Sequence, residues 1–472
     1  MSSFRRDILL VLLTNLISKP LWLITDNLVQ NQVGHATYGL IGALLAIGQW
    51  AWVFSDWGLY ALVVREVAKA QPSSLSVGST AFTLKLSLSV AAILLFAGIG
   101  WWIGYRAESF LWLLAAIGYQ MGLGYIQFFR SFFQGDQRFR VEAILSALDK
   151  IFILIGLLLL WRILNGRVYL ATLMMGSLLA ALAAGAWVQQ SYGQLRLHFS
   201  LTQMRAIFLQ STSFALLIQV SSLSERMNQV LLERLAGAHE NGLYWGAYRW
   251  HSAALVYSWT VLPLFFARFA RLRSQNTSEL PTTFITGLLL NSLPLIGVAG
   301  LFIAAPELFT LLFTQSTSQE IERIQRVLRI LGLALASHAM FEVFSTYITS
   351  TGREKAVLRL MVIAIFLNAL WGSLGVTFAQ ERGAAWALVA HYLFCGIGYV
   401  WIFHRLEDFK APLLLLAKLW AFFLSYSGIL WGITQYFSLT LPTKLAVAVL
   451  LWLSLAYLFG LLQQLYYASR FR

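Results

Sequence analysis

Apolar runs of about 20 residues, each long enough to cross a bilayer, follow one another almost without pause along the chain. About fourteen can be drawn, at 9–30, 38–64, 78–104, 109–133, 144–164, 168–188, 206–232, 243–266, 284–304, 327–350, 357–378, 383–403, 413–436 and 442–466. Strands of a membrane barrel would alternate in polarity over segments of about ten residues, and these runs do not. The pattern predicts an all-α polytopic membrane protein. Polar positions inside such runs carry the information, because an ionised side chain at the bilayer centre costs about 2.5–3.5 kcal/mol even on the lenient insertion scale. In the first run Asn15, Lys19, Trp22 and Asp26 are spaced by 4, 3 and 4 residues, which places them on one helix face. That face is expected to line water or protein, and a substrate cavity is the reading it supports.

The polar face recurs. Gly34, Gly39 and Arg65 return as Gly237, Gly242 and Arg268, each at the same offset of 203, in the contexts VGHATYGL and AGAHENGLY. That offset carries Lys19, Trp22 and Asp26 onto Ser222, Glu225 and Gln229, which share a face with Ser211. Farther on, Arg138 and Arg140 match Arg353 and Lys355 at an offset of 215. A six-helix repeat unit keeps its orientation in the bilayer, so the halves are expected to be parallel repeats about an axis along the membrane normal. The domain reading is a six-helix lobe over 1–203, a second over 204–410 and two additional helices over 411–472. Polar stripes turned inward by both lobes would leave a hydrated crevice, the usual place for a transporter to hold substrate; hydrogen bonding between helices is the alternative use of the same atoms.

Composition narrows the class further. With 59% hydrophobic and 11% charged residues, the chain has more apolar surface than a soluble fold could bury. Of the 34 Lys and Arg, nineteen fall on segments that are inside if the N-terminus is inside, and eight on outer segments. That asymmetry predicts cytoplasmic termini. It also accounts for the net charge of +14 through anionic lipid at the inner surface, without nucleic acid. Cys395, the single cysteine, can form no intrachain disulfide. The first run contains Lys19 and Pro20 and no small-residue cleavage site follows it, so it is expected to remain as a helix. No connection exceeds about 20 residues, and acidic residues on loops are scattered, so a catalytic domain has no place and no enzyme is expected.

Several motifs resemble one family: the opening NLISK followed by VGHATYG, the segment from Asp56 to Ala68, the R-x-F-R after the fourth helix, and LLERLAGAHENGLYWGAYR from Leu231 to Arg249. Their order is similar to the polysaccharide-exporter (O-antigen flippase-like) branch of the multidrug/oligosaccharidyl-lipid/polysaccharide exporter superfamily. The resemblance implies a flippase that moves undecaprenyl-diphosphate-linked saccharide from the inner to the outer leaflet of the bacterial cytoplasmic membrane by alternating access, for surface polysaccharide such as O-antigen or exopolysaccharide. Polysaccharide polymerase machinery is then a candidate partner. Many relatives carry arginine at the position of Asn31 and aspartate near Asn228, and the lipid II flippase branch has a second basic residue about where Thr25 stands. These departures bear on ion coupling and on the lipid II reading.

A diphosphate needs cations that act in a low-dielectric region. Lys19, Arg226 and Arg249 are the candidates: Lys19 shares a stripe with Trp22, Arg226 lies beside the stripe of Glu225 and Gln229, and Arg249 shares a face with Trp245 and Ser252. Pairing of the arginines with Glu225 or Glu233, or snorkelling to the outer rim, is the plainer alternative. Asp26, Asp56, His338 and Glu342 are candidates for coupling to Na+ or H+, the latter two being one turn apart with an imidazole that titrates near neutrality. Lys85, Lys150 and Lys418 lie within about two turns of a cytoplasmic helix start, and snorkelling is expected for them. No metal and no other cofactor is expected. A cation-coupled drug antiporter on the same two-lobe architecture is the competing function.

Overall fold

A computed structural model describes residues 22–68, 74–275, 279–406, 412–437 and 439–470, and among these the chain is helical, with no strand. The order is α1 (22–33), α2 (His35–Asp56), α3 (Leu59–Ala68), α4 (Ser74–Trp102), α5 (Ala107–Gly135), α6 (Phe139–Leu160), α7 (Gly166–Tyr192), α8 (Leu201–Leu235) and α9 (Ala238–Ser274). It continues with α10 (Leu280–Ala304), the single turn α11 (Glu307–Thr310), α12 (Ser318–Ser350), α13 (Glu354–Leu406), α14 (Leu413–Tyr436), α15 (Leu441–Leu458) and α16 (Leu461–Arg470). Among the described residues eleven helices are long and apolar enough to cross a membrane, and twelve when α8, whose arms Leu201–Ser213 and Ala215–Leu235 meet at 53°, counts as one span. The protein is an all-α polytopic membrane protein.

Breaks in the helices fall where the backbone demands them. Unbroken, the 53 residues of α13 would be far longer than a bilayer is thick, since a helix rises about 1.5 Å per residue. Ala379 and Gln380 leave helical geometry (Gln380 φ 48°, ψ −124°) and separate the two spans that the apolar runs predict. The arms then pass so closely that a Cβ on Gly383 would collide with the carbonyl oxygen of Gly375. Two predicted single spans are interrupted instead. Trp57 (φ 42°) and Gly58 (φ 77°) divide α2 from α3, and Gly460 (φ 69°) divides α15 from α16. A left-handed residue ends the hydrogen-bond ladder, which an unbroken apolar run does not reveal.

The repeat is visible in the backbone. Gly34 (φ 83°, ψ 160°) and Gly237 (φ 107°, ψ 164°) each join two helices with no loop between them, in a region of conformational space almost confined to glycine. At the second repeated motif, Asp136, Gln137 and Arg138 donate their N–H groups to the carbonyls of Phe132, Gln134 and Phe133. Thr351, Gly352 and Arg353 donate to Tyr347, Thr349 and Ile348, so the same turn is built at both copies of the motif.

The chain forms two compact units, Met1–Glu233 and Arg234–Arg472. The core of the first holds Leu59, Leu62, Phe128, Phe132, Phe133 and Val188. Packing assigns most of α8 to this unit, although the repeat in sequence begins with it: Trp50 Nε1 donates to the Ser222 carbonyl at 3.1 Å, and Tyr105 donates to the Glu233 carboxylate at 2.6 Å. Packing units and sequence repeats are therefore offset by about one helix relative to a boundary after residue 203. In the second unit Phe284, Phe344, Tyr347 and Phe403 form an aromatic cluster with centroids 4.9–5.5 Å apart.

Candidate substrate and coupling sites

In the first unit a cavity of about 240 Å³ is lined by Trp22, Trp52, Tyr119, Gln127, Arg130, Ser146, Asp149 and Lys150, with Leu123 and Ile126. Its ionic groups are of both signs. Glu142 grips Arg130 through Nη2 and Nε and accepts from Gln134 Nε2 at 3.0 Å, while Tyr60 donates to Gln134. Lys150 Nζ reaches Asp149 at 3.3 Å and the Ser146 carbonyl at 3.1 Å. Two indole faces and a tyrosine beside donors and acceptors of balanced charge suit a neutral, polyhydroxylated group better than a bare anion.

Trp22, alone among the described candidates on the first helix, lines this cavity. Asp26, one turn on, is buried and accepts a hydrogen bond from Tyr169 at 3.2 Å, and Tyr169 stacks on Tyr38 at 6.2 Å. Lys19 lies outside the described residues. Asp56 has a cation beside it. Its Oδ1 stands 3.3 Å from Nζ of Lys85, whose side chain is fully buried and lies over the rings of Tyr125 and Phe128 at 5.3 and 5.8 Å. The expectation that Lys85 snorkels is thus corrected: the ammonium stays inside because a carboxylate and two ring faces replace its water. Lys418 is half-buried.

On α8, Glu225 and Arg226 are half-buried neighbours, and Gln229 is fully buried. Neither the oxygen nor the nitrogen of the Gln229 amide has a hydrogen-bond partner among the described residues. Buried amides are ordinarily satisfied, so one left open marks a place for water or a ligand. In the second unit Arg249 is buried, its guanidinium 5.6 Å from the centre of the Phe313 ring. Trp245, predicted to share its face, stacks on Tyr248 at 5.9 Å. His338 Nδ1 and Glu342 Oε2 are 4.0 Å apart, as their spacing on α12 requires.

Three groups are not readable from the sequence. His251 and His391 lie close to His338 around Tyr392. Arg323 is held by Glu240 and by Glu381 at 2.7 Å, which ties α9, α12 and the second arm of α13 together beside a polar cavity of about 470 Å³ that also holds Arg326 and Arg382. The lining of the first cavity by Arg130 and Asp149 is the third. A histidine or an ion within an apolar run is the available signal, but the partners lie on other helices and share no period.

A family described as polysaccharide biosynthesis protein matches residues 4–267, and the MatE family matches residues 271–374. No protein of curated function matches the chain. Among solved structures, the lipid II flippase MurJ in an inward closed conformation is 13% identical, with a TM-score of 0.73 over 96% of this chain and 99% of that one. An inward-facing multidrug resistance MATE family transporter is 15% identical, with a TM-score of 0.66 over 82% of this chain and 94% of that one. A transporter from Pyrococcus furiosus, described as having a binding pocket of reverse polarity, is 17% identical with a TM-score of 0.57, over 84% and 94%. At these identities the likeness is one of fold.

Proposed function

We propose, from the premise that the chain belongs to the polysaccharide biosynthesis protein family within the multidrug/oligosaccharidyl-lipid/polysaccharide exporter superfamily, that it is a flippase for polyprenyl-diphosphate-linked oligosaccharide. The observation that carries this reading is the cavity of the first unit, where Trp22 and Trp52 accompany Gln127, Arg130, Asp149 and Lys150. Aromatic faces receive the C–H face of a pyranose, and paired charges of both signs serve its hydroxyls as donors and acceptors. The diphosphate, with about two negative charges, calls for further cations. Lys19, Arg226 and Arg249 have that role in this reading, with Glu225 and the open amide of Gln229 completing the substrate stripe. Cargo enters from the inner leaflet of the bacterial cytoplasmic membrane and leaves to the outer by alternating access. Both termini are cytoplasmic by the distribution of Lys and Arg, and the product passes to the polymerase of a surface polysaccharide.

The test is genetic and biochemical together. Deleting the gene traps lipid-linked saccharide in the cytoplasmic leaflet, and Lys19→Ala reproduces the defect with the protein still in the membrane; unaltered surface glycan in the deletion strain would refute the reading. A cation-coupled drug antiporter is the second reading, favoured by the MatE match over residues 271–374. It predicts drug sensitivity and dye efflux lost in Asp26→Asn. The fold likeness to the lipid II flippase makes lipid II the alternative lipid-linked cargo, and arrest of peptidoglycan synthesis on depletion distinguishes it.

A further inference from the structure

Three imidazoles meet inside the second unit. His251 comes from α9, His338 from α12 and His391 from the second arm of α13, and all three are buried. The ring of Tyr392 lies among them, its centroid 6.1 Å from His251, 5.1 Å from His338 and 5.7 Å from His391. Tyr248 covers His251 at 5.6 Å. The carboxylate at the edge of the group is Glu342, whose side chain is 32% exposed against 6% for His338.

The neighbours include neutral groups and one buried cation. Cys395 Sγ is 3.8 Å from Nε2 of His391, and Tyr399 borders Cys395 and Glu342. From α10, Asn291 and Ser292 both donate to the Ala339 carbonyl next to His338. Arg249, two residues before His251, rests on Phe313.

A packing role does not explain this choice of residue. Nε2 of His338 is buried with no hydrogen-bond partner among the described residues, and such an atom carries a desolvation penalty that a leucine or phenylalanine would not. His251 and His391 are buried as deeply as His338. What imidazole offers in return is a ring that can take up one positive charge.

We propose that His251, His338 and His391, with Glu342 as counter-charge, form a binding site for a single proton within the second unit. The proton enters from the exposed edge at Glu342, is held on His338 opposite that carboxylate, and is stabilised by the face of Tyr392. A second proton on His251 or His391 would meet like charge at close range, so the three rings titrate as one site. The inference holds whatever cargo the protein carries.

The test uses the full-length protein purified in detergent, with protons alone as the probe. Hydrogen exchange at the C2 position of each histidine, read by mass spectrometry between pH 4 and 8, reports when that ring is protonated. In Glu342→Gln the midpoint for His338 falls by about one pH unit, the loss of one nearby negative charge worth about 1.4 kcal/mol. In His391→Asn the His338 midpoint moves as well, because the rings are coupled, while His239, a half-exposed ring elsewhere in the chain, does not change in either variant. Should one variant fail to fold by its elution and melting profile, the other still decides. Histidines that titrate independently and unmoved by the variant, or that take up no proton anywhere in that range, would overturn the proposal.

Discussion

Both units bury ion pairs, but among the described residues the second also gathers imidazoles. In the first, ions come in pairs: Lys85 with Asp56, Arg130 with Glu142, Lys150 with Asp149. In the second, beside the Arg323–Glu381 pair, three buried neutral-capable rings stand with one carboxylate at their edge. A pair is satisfied in a single state and fixes its helices. A cluster of imidazoles around one acid has two states of charge, and so can respond. The first arrangement suits the walls of a binding cavity, the second an element whose packing changes with the ion it holds.

The contrast breaks most easily at Lys85. Asp56→Ala leaves a fully buried ammonium without its carboxylate, and the expected loss is about 3–5 kcal/mol, read as a lower melting temperature in detergent. Replacing both partners by Met and Leu restores most of it; a double variant as unstable as Asp56→Ala would show that the pair is not what holds α2 to α4. The cavity comes next. Trp22→Ala combined with Trp52→Ala is expected to weaken saccharide transport about tenfold, or about 1.4 kcal/mol, with little change in expression. A comparable defect from an exposed tryptophan that does not line the cavity, such as Trp102, 83% exposed, would deny the cavity its special role.

Smaller effects sharpen the comparison by testing where the units agree. Gly34→Ala and Gly237→Ala meet open space at the new Cβ, so both changes cost only backbone strain, about 1–3 kcal/mol, and should cost the same. Unequal losses would show that the repeated turn is loaded differently in each unit. The smallest effect is at the capping box of α12, where the Thr317 hydroxyl and the Glu320 carboxylate satisfy the helix start. Thr317→Ala should lower stability by about 1 kcal/mol and leave transport unchanged.

Most of the helical layout is legible in the sequence because it depends on local quantities: run length, polarity, and glycine at joints. The constant offset between the halves is visible for the same reason, since Gly34 and Gly237 answer a local backbone demand. Lys85 misleads. Its position near a helix end points to snorkelling, but the partner that keeps it inside, Asp56, is 29 residues away and meets it only after folding. Two histidines fail in the same way, since His251 and His391 share no period with His338, which its spacing from Glu342 singles out. Asp26 is found through helical spacing, yet its partner Tyr169 is 143 residues distant. Faces are local and can be derived; partners across helices cannot.

The contact between Gly375 and Gly383 limits how the second unit can deform. With backbone against backbone at that point, any side chain larger than hydrogen at either position would wedge the arms of α13 apart. Bending is easier in α9 and α10, each of which has a place where the ladder already lacks a rung, at Pro263 and Pro294.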